Sequence, residues 1–465
     1  MMVDHNGDPQ YIDQSADALE NRYIVKFDSD QNITDIDPCT PDPMNSISLN
    51  DNEKVLVIPK AYRTRVIRGN RGARIDNNDR RTRFAGADIF AKEGSGTSKA
   101  VRNCVISAFG FSDNEAEIWH VNTNNLRFYR GNYGGLDNPP TDGDTTTYAF
   151  NISNNDGVLQ PGQHLIALGS RKVTEMICLQ LKNYPSCLDL NCATGNRAAI
   201  RAAYISAAFL LQRTLADLLD VEPREIEVIE KIKDNKPLIY LSDALPNGAG
   251  IVEYLYQENH LEEVIGKIIN FDTPFMQSLI DDDGHKRKCL TACQECLNAY
   301  DNRGYHHVLD WRMGVGLLRL MIDPHYDFGF NPANRSKSYP ELEDYSLVFN
   351  AAAKKMDGSW ENDLYSLFRP TVHRLLNPHA RSETTCKVLY HPLWKRDALT
   401  SSLPVADKYE YHNIFKVLRS DLTPDHTQTV AVAIIPPVGT PGVYSVVTEE
   451  ETDPITSIIT GIDLS

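Results

Sequence analysis

The sequence predicts a chain that mixes helices with strands, α/β or α+β, in several successive regions. Three observations predict it. Residues 50–155 hold short apolar, strand-like runs punctuated by Gly, Asn and Pro. Asn196 to Leu219 is Ala-rich, apolar at close to 3.6-residue spacing and free of Gly and Pro, which marks a long helix. Around that helix the order strand, helix, strand, strand, helix sets out a layered domain.

Taken in order, residues 1–50 are rich in Asp, Asn and Pro without periodicity and read as an irregular leader. Residues 51–155 form a β-rich module with an Arg-rich loop, opening on the apolar run Val55–Pro59 and holding a second strand at Glu117–Asn122. Residues 156–325 form an α/β domain. Its strands are expected at His164–Gly169, Val173–Leu181, Glu225–Ile229 and Leu238–Ser242, and its second helix at Ala249–Ile269. Residues 326–435 are a mixed α/β region, helical around Glu361–Phe368 with a strand at Lys387–Tyr390. Residues 436–465, rich in Pro, Thr and acids, read as an extended tail, and no internal repeat is present.

Composition narrows the classes. The chain has 465 residues, 41% hydrophobic and 24% charged, as ordinary globular proteins do. No apolar run nears the roughly 20 residues that span a bilayer. The polar, acidic start lacks the basic and apolar parts of a secretory signal, which predicts a cytoplasmic protein with no membrane partner. A net charge of −16 disfavours nucleic-acid binding by the whole surface. A local basic patch, or a basic partner, remains compatible with DNA.

Nine cysteines argue against a disulfide framework. Three of them, Cys289, Cys293 and Cys296, are spaced C-x3-C-x2-C, which on a helix places them on one face. Three thiolates can ligate one ion, but a closed zinc site needs a fourth ligand. Candidates are His285, His306, His307, Cys187 and Cys192. The plainer reading is three buried thiols. The same spacing fits an iron–sulfur cluster of a radical enzyme, although no series of strand–helix repeats follows it. The other cysteines, including Cys39, Cys104, Cys178 and Cys386, read as buried thiols.

Three further stretches carry chemistry. Leu238 to Gly250 runs from a strand through Asp243 and a Pro-Asn-Gly turn to glycines that open a helix. Its N–H groups could hold an anion, or Gly248 and Gly250 could simply permit a tight turn. Arg63, Arg65, Arg68, Arg71, Arg74, Arg80, Arg81 and Arg83 lie within 21 residues, suited to phosphate contacts or to a solvated loop. His391, in Tyr390-His391-Pro-Leu-Trp394, is a catalytic candidate or a structural histidine. No GxxxxGK[ST] loop, acidic helicase box, H-E-x-x-H or G-x-S-x-G is present, so the chain holds no P-loop ATPase motor.

Together these stretches resemble the MrfA-like zinc-binding domain family, found at the C-terminus of DEAD/DEAH-box helicases and in standalone proteins such as DrmB of the DISARM anti-phage system. Tyr240 to Gly250 is similar to the family's Y-D-x-x-P-x-G-A-G turn. Cys293-Gln-Glu-Cys296-Leu-Asn-Ala-Tyr300-Asp-Asn302 is similar to its C-L-x-x-Y-x-N motif, and His306 precedes Leu309-Asp310 as in the family. Looser likenesses run through Pro59–Thr64, Ile118–Asn122 and His391–Trp394. Members with four clustered cysteines carry one where this chain has Arg287.

The resemblance implies a structural zinc held by Cys289, Cys293 and Cys296, with His285 taken as the fourth ligand. It implies a non-catalytic accessory subunit of a bacterial anti-phage complex, paired with a separate superfamily 2 helicase and assisting DNA engagement through Arg63–Arg83. The alternatives are a nuclease or DNA-modifying subunit with its active site in residues 326–435, and a scaffold that bridges subunits without touching DNA.

Overall fold

The computed structural model describes residues 22–38, 49–57, 87–132, 153–154, 163–330, 339–343, 386–401, 409–413, 431–434 and 442–445, apart from 30, 112–115, 124–125, 127, 247, 282–283 and 286–288. The arginine segment Arg63–Arg83 and the helix expected at Glu361–Phe368 lie outside the described residues.

Among the described residues the first elements are an antiparallel hairpin, β1 (Arg22–Phe27) and β2 (Ile33–Pro38), within the stretch where an irregular leader was expected. The asparagines and aspartates that suggested irregularity make the turn: Asp28 accepts from the backbone and side chain of Asn32. Then come β3 (Glu53–Val57), β4 (Ala87–Lys92), β5 (Gly96–Val101), β6 (Cys104–Phe109) and β7 (Glu117–Asn122). The short β8 (Tyr129–Asn132) and β9 (Ser153–Asn154) lead to the long β10 (Gln163–Val173) and to β11 (Met176–Leu181). The helix α1 (Arg197–Leu219) starts at Asn196, whose side chain accepts from Ala199 N–H. The hairpin β12 (Ile226–Lys233) and β13 (Lys236–Asp243) turns on Asp234 and Asn235, both at positive φ (52° and 59°).

Among the described residues four α-helices follow: α2 (Ile251–Tyr256), α3 (His260–Ile269), α4 (Pro274–Leu279) and α5 (Trp311–Ile322). The single helix expected over Ala249–Ile269 is therefore two, broken after Tyr256. Beyond them lie α6 (Pro340–Glu343), β14 (Cys386–Tyr390), α7 (Arg396–Ser401), β15 (Tyr409–Asn413), β16 (Ala431–Ile434) and β17 (Gly442–Ser445). The last strand falls where an extended tail was expected.

Among the described residues the strands make three sheets, so the chain is α+β as expected, with a β-rich N-terminal part. The first runs β2-β1-β3-β10-β7-β4 with β8 and β9 attached, the second β12-β13-β11-β6-β5, and the third β15-β14-β16-β17. The chain passes between the first two sheets at β4 to β5, β6 to β7 and β10 to β11. A boundary at residue 155 therefore does not separate two sets of strands. Such pairing joins residues far apart in sequence, which local patterning does not report.

The second sheet is covered on both faces. Met176 and Cys178 of β11 pack with Ala91, Ile118, Ile229 and Tyr240 toward the first sheet. The alternate residues, Ile177 and Leu179, pack with α1, α3 and α5. Double coverage explains why β11 reads as a continuous apolar run rather than an alternating one. It also explains why α1 is buried nearly all round. Helices α1 and α5 approach so closely that a Cβ on Gly314 would lie 2.8 Å from the Ser206 backbone carbon. Among the described residues no helix is long and apolar enough to cross a membrane.

Charge also ties the first two sheets. Glu227 of β12 pairs with His120 of β7 (3.1 Å) and Lys172 of β10 (2.6 Å). Burial pushes the Glu227 carboxyl up, but His120 and Lys172 outweigh it and leave it at about 2. Its folded pKa lies below the ordinary value of about 4.3. The stability it contributes is therefore complete above that value and is lost as pH falls toward about 2. Glu227→Gln is expected to cost about 2–3 kcal/mol at neutral pH and to flatten the acid limb of stability. Urea midpoints of both proteins across that acid range check it; parallel curves would show that the network contributes nothing.

Candidate metal centre

The site is built from α4 onward. Thr273 caps α4 by accepting from Met276 N–H (3.1 Å), and Phe275, Met276 and Leu279 are buried. At its end the Leu279 carbonyl lies 3.1 Å from His285 Nδ1. A carbonyl can only accept, so Nδ1 carries the proton and Nε2 keeps its lone pair. Nε2 is buried with no hydrogen-bond partner. Cys289 N–H donates to the His285 carbonyl (3.0 Å), which holds the two residues close together.

The remaining ligands sit on turns. Cys293 carbonyl accepts from Cys296 N–H (3.2 Å) and Asn298 N–H (2.9 Å), and Cys296 Sγ accepts from Cys293 N–H (3.0 Å). The helix on which the three cysteines would share one face is absent; residues 289–302 form turns. Asparagine side chains compete with helical bonding: Asn302 accepts from Ala299 N–H and donates to the Leu297 carbonyl, both within 2.8 Å.

One ligand atom each from His285, Cys289, Cys293 and Cys296 lies within 4.8 Å of the others, so the cluster can hold a metal ion. The sulfurs of Cys289 and Cys296 are 3.8 Å apart. Two thiolates on a tetrahedral zinc, each about 2.3 Å away, stand about 3.8 Å apart. The orphaned Nε2 supplies the fourth donor, and its Nδ1 partner is the kind of outer support that orients a metal-binding imidazole. Of the fourth-ligand candidates the structure brings in His285. His306 Nε2 instead lies 2.8 Å from both the Ala299 carbonyl and Asn302 Oδ1. His307, Cys187 and Cys192 lie outside the cluster.

The centre is poised for thiolate. The hydrogen bond from Cys289, with lesser help from the nearby His285 ring and from Cys293 N–H, pulls the Cys296 thiol down to about 4 against the opposing effect of burial. Sharing with Cys296 and burial push the Cys289 thiol up; burial first, then the charge on Cys296, raises Cys293. Burial disfavours a charged His285, but Cys296 and the Leu279 carbonyl outweigh it and raise its pKa.

The sequence reading missed what holds this loop. Arg312, 1% exposed, donates to the carbonyls of Cys289 (3.1 Å) and Leu290 (3.0 Å). Trp311 N–H donates to the Thr291 carbonyl (3.0 Å), and its ring lies 6.0 Å from that of His285. Asp310 caps α5, and its own N–H donates to Ser206 Oγ on α1 (2.8 Å). The available signal was Asp310 directly before an apolar helical run.

At the glycine turn, the anion is part of the chain. Buried Asp243 accepts from the backbone N–H groups of Ala249, Ile251 (3.2 Å) and Val252 (3.0 Å). These are the donors that an external anion would need. Gly248 has φ 79°, and a Cβ there would meet Glu175 Cδ at 2.4 Å, so only glycine fits. Burial, then the neighbouring Asp243, pushes Glu175 up.

His391 is fully buried. Its ring centroid lies 5.1 Å from Phe328 and 5.7 Å from Trp394, and burial pushes it down to about 3. It is a core histidine, out of substrate's reach. The arginine segment, the DNA-facing candidate, lies outside the described residues. Asp243→Ala is expected to cost about 2–4 kcal/mol by stranding buried N–H groups, read as a fall in urea midpoint. A change within about 0.5 kcal/mol would return the turn to an open anion site.

No family profile matches the chain, and no curated protein matches it. Among solved structures, a DUF1998 helicase, MrfA, bound to DNA superposes on 50% of this chain at 13% identity with a TM-score of 0.30. The superposition covers 25% of that helicase, so this chain spans about a quarter of its length. At that score it fixes neither fold nor activity for this chain.

Proposed function

We propose that this chain is a zinc-stabilised accessory subunit, without catalysis of its own, of a helicase-containing anti-phage defence complex, and that it assists DNA engagement. The observation that carries the reading is the convergence of His285, Cys289, Cys293 and Cys296. Four protein donors complete a tetrahedral zinc and leave no position for a substrate water, which supports a structural ion. The same loop bears the C-L-x-x-Y-x-N motif on which the family resemblance rests. A superfamily 2 helicase on a separate chain would supply the motor that this sequence lacks. Arg63 to Arg83 would face DNA, and the acidic remainder of the chain would suit docking onto a basic motor.

A nuclease centred on His391 loses its support, because that imidazole is enclosed by Phe328 and Trp394. Plasma mass spectrometry of the purified protein is expected to find about one zinc per chain. Cys293→Ser and Cys296→Ser should lose the metal and, with it, stability. Iron with labile sulfide, or no metal, would overturn the reading. Charge reversal across Arg63–Arg83 should weaken DNA binding by the assembled complex and shrink its salt dependence. Unchanged binding would make the chain a scaffold.

A further inference from the structure

The loop that follows Cys296 carries an exposed aromatic ring with a cation laid on it. Tyr300 is 54% exposed, and the Arg303 guanidinium sits 3.7 Å from its ring centroid. Isolated exposed apolar side chains are ordinary on a protein surface. This one is pinned from several directions. Asn302 accepts from Ala299 N–H and donates to the Leu297 carbonyl, while His306 Nε2 lies 2.8 Å from the Ala299 carbonyl. Asp301 pairs with Arg224 (2.6 Å), and Tyr305 packs its ring 5.7 Å from that of Phe209 on α1. The backbone entering the loop is fixed at Cys296, within the candidate metal centre.

We propose that Tyr300 and Arg303 form a base-stacking platform for single-stranded DNA. The inference rests on the DNA-engaging reading above and names the form of DNA that this surface fits. The Tyr300 ring and the Arg303 guanidinium laid over one of its faces make a flat, cationic stack that a base of any kind can extend. A duplex keeps its bases stacked on one another and offers no such face. The rigid loop means that little conformational freedom is lost when a base arrives. The neighbouring cleft of about 860 Å³, walled partly by Asp301, Gly304 and Tyr305, mixes Arg197, Lys231 and Lys233 with Asp234 and Glu230. Such balanced lining does not attract a polyanion, so stacking rather than phosphate contact carries the affinity here.

The test is fluorescence anisotropy of the full-length chain with a labelled oligothymidylate and with a duplex of equal length. Tyr300→Ala is expected to weaken single-strand binding roughly 5- to 150-fold, the range of one lost base stack. Tyr300→Phe and Tyr300→Trp should bind as the unsubstituted chain does. The Tyr300→Ala loss should be the same at low and high salt, unlike losses in the arginine segment. Metal content and circular dichroism of each variant, expected unchanged, establish that the exposed substitution leaves the fold intact. Binding that Tyr300→Ala leaves unchanged, as for a surface that instead meets a protein, overturns the platform alone. So does an equal loss on duplex. Failure of the unsubstituted chain to bind either probe overturns both the platform and direct DNA engagement.

Discussion

Arg312, inside the core, donates to the carbonyls of Cys289 and Leu290, and Trp311 beside it donates to that of Thr291. Those contacts join two things that would otherwise be separate. One is a helical core in which α5 lies against α1 close enough to demand Gly314. The other is a turn-rich loop with little apolar surface, which could not hold its own shape. Burying a guanidinium is costly unless it is hydrogen-bonded, and here its partners are the carbonyls of the cysteine loop. Removing them would leave a charge stranded in the core. The core therefore imposes the loop's path, and the loop presents its sulfurs to His285.

The same economy recurs in the sheets. Asp243 ends β13 and uses its carboxylate to satisfy the start of α2, so the turn between them carries its own anion. Glu227 sits between His120 and Lys172 and links strands of two sheets. In each case a carboxylate is matched by fixed donors of the chain. Each match also joins elements that different parts of the chain supply. Single removals are costly because each leaves the partners unpaired.

These constraints define a rigid loop, Cys289 to His306, held by side-chain donors within it and by α5 beneath it. A metal there would act as a clamp on a segment already shaped by the core. Its outer surface is where Tyr300 and Arg303 stand. Structural centre and exposed aromatic thus belong to one short stretch, the stretch whose cysteine spacing is the most distinctive feature of the sequence.

The sequence by itself determined the local elements whose signal is local. The helix from Asn196 follows from its alanines and its capping side chain, and β3, β7, β11, β12 and β13 follow from short apolar runs ended by turn residues. Ligand-type residues at 289, 293 and 296 were legible because spacing alone marks them. Tertiary structure decided the rest. That β5 and β6 join β11 to β13, while β10 joins β7, depends on pairings between distant residues. His285 among several candidates was selected by where α4 ends, and the helix expected across the cysteines gave way to asparagine-held turns. His391, readable as catalytic, became a core residue once Phe328 and Trp394 closed around it. Residue type and spacing state what a side chain can do; burial and partners, which only the folded chain supplies, decide whether it does.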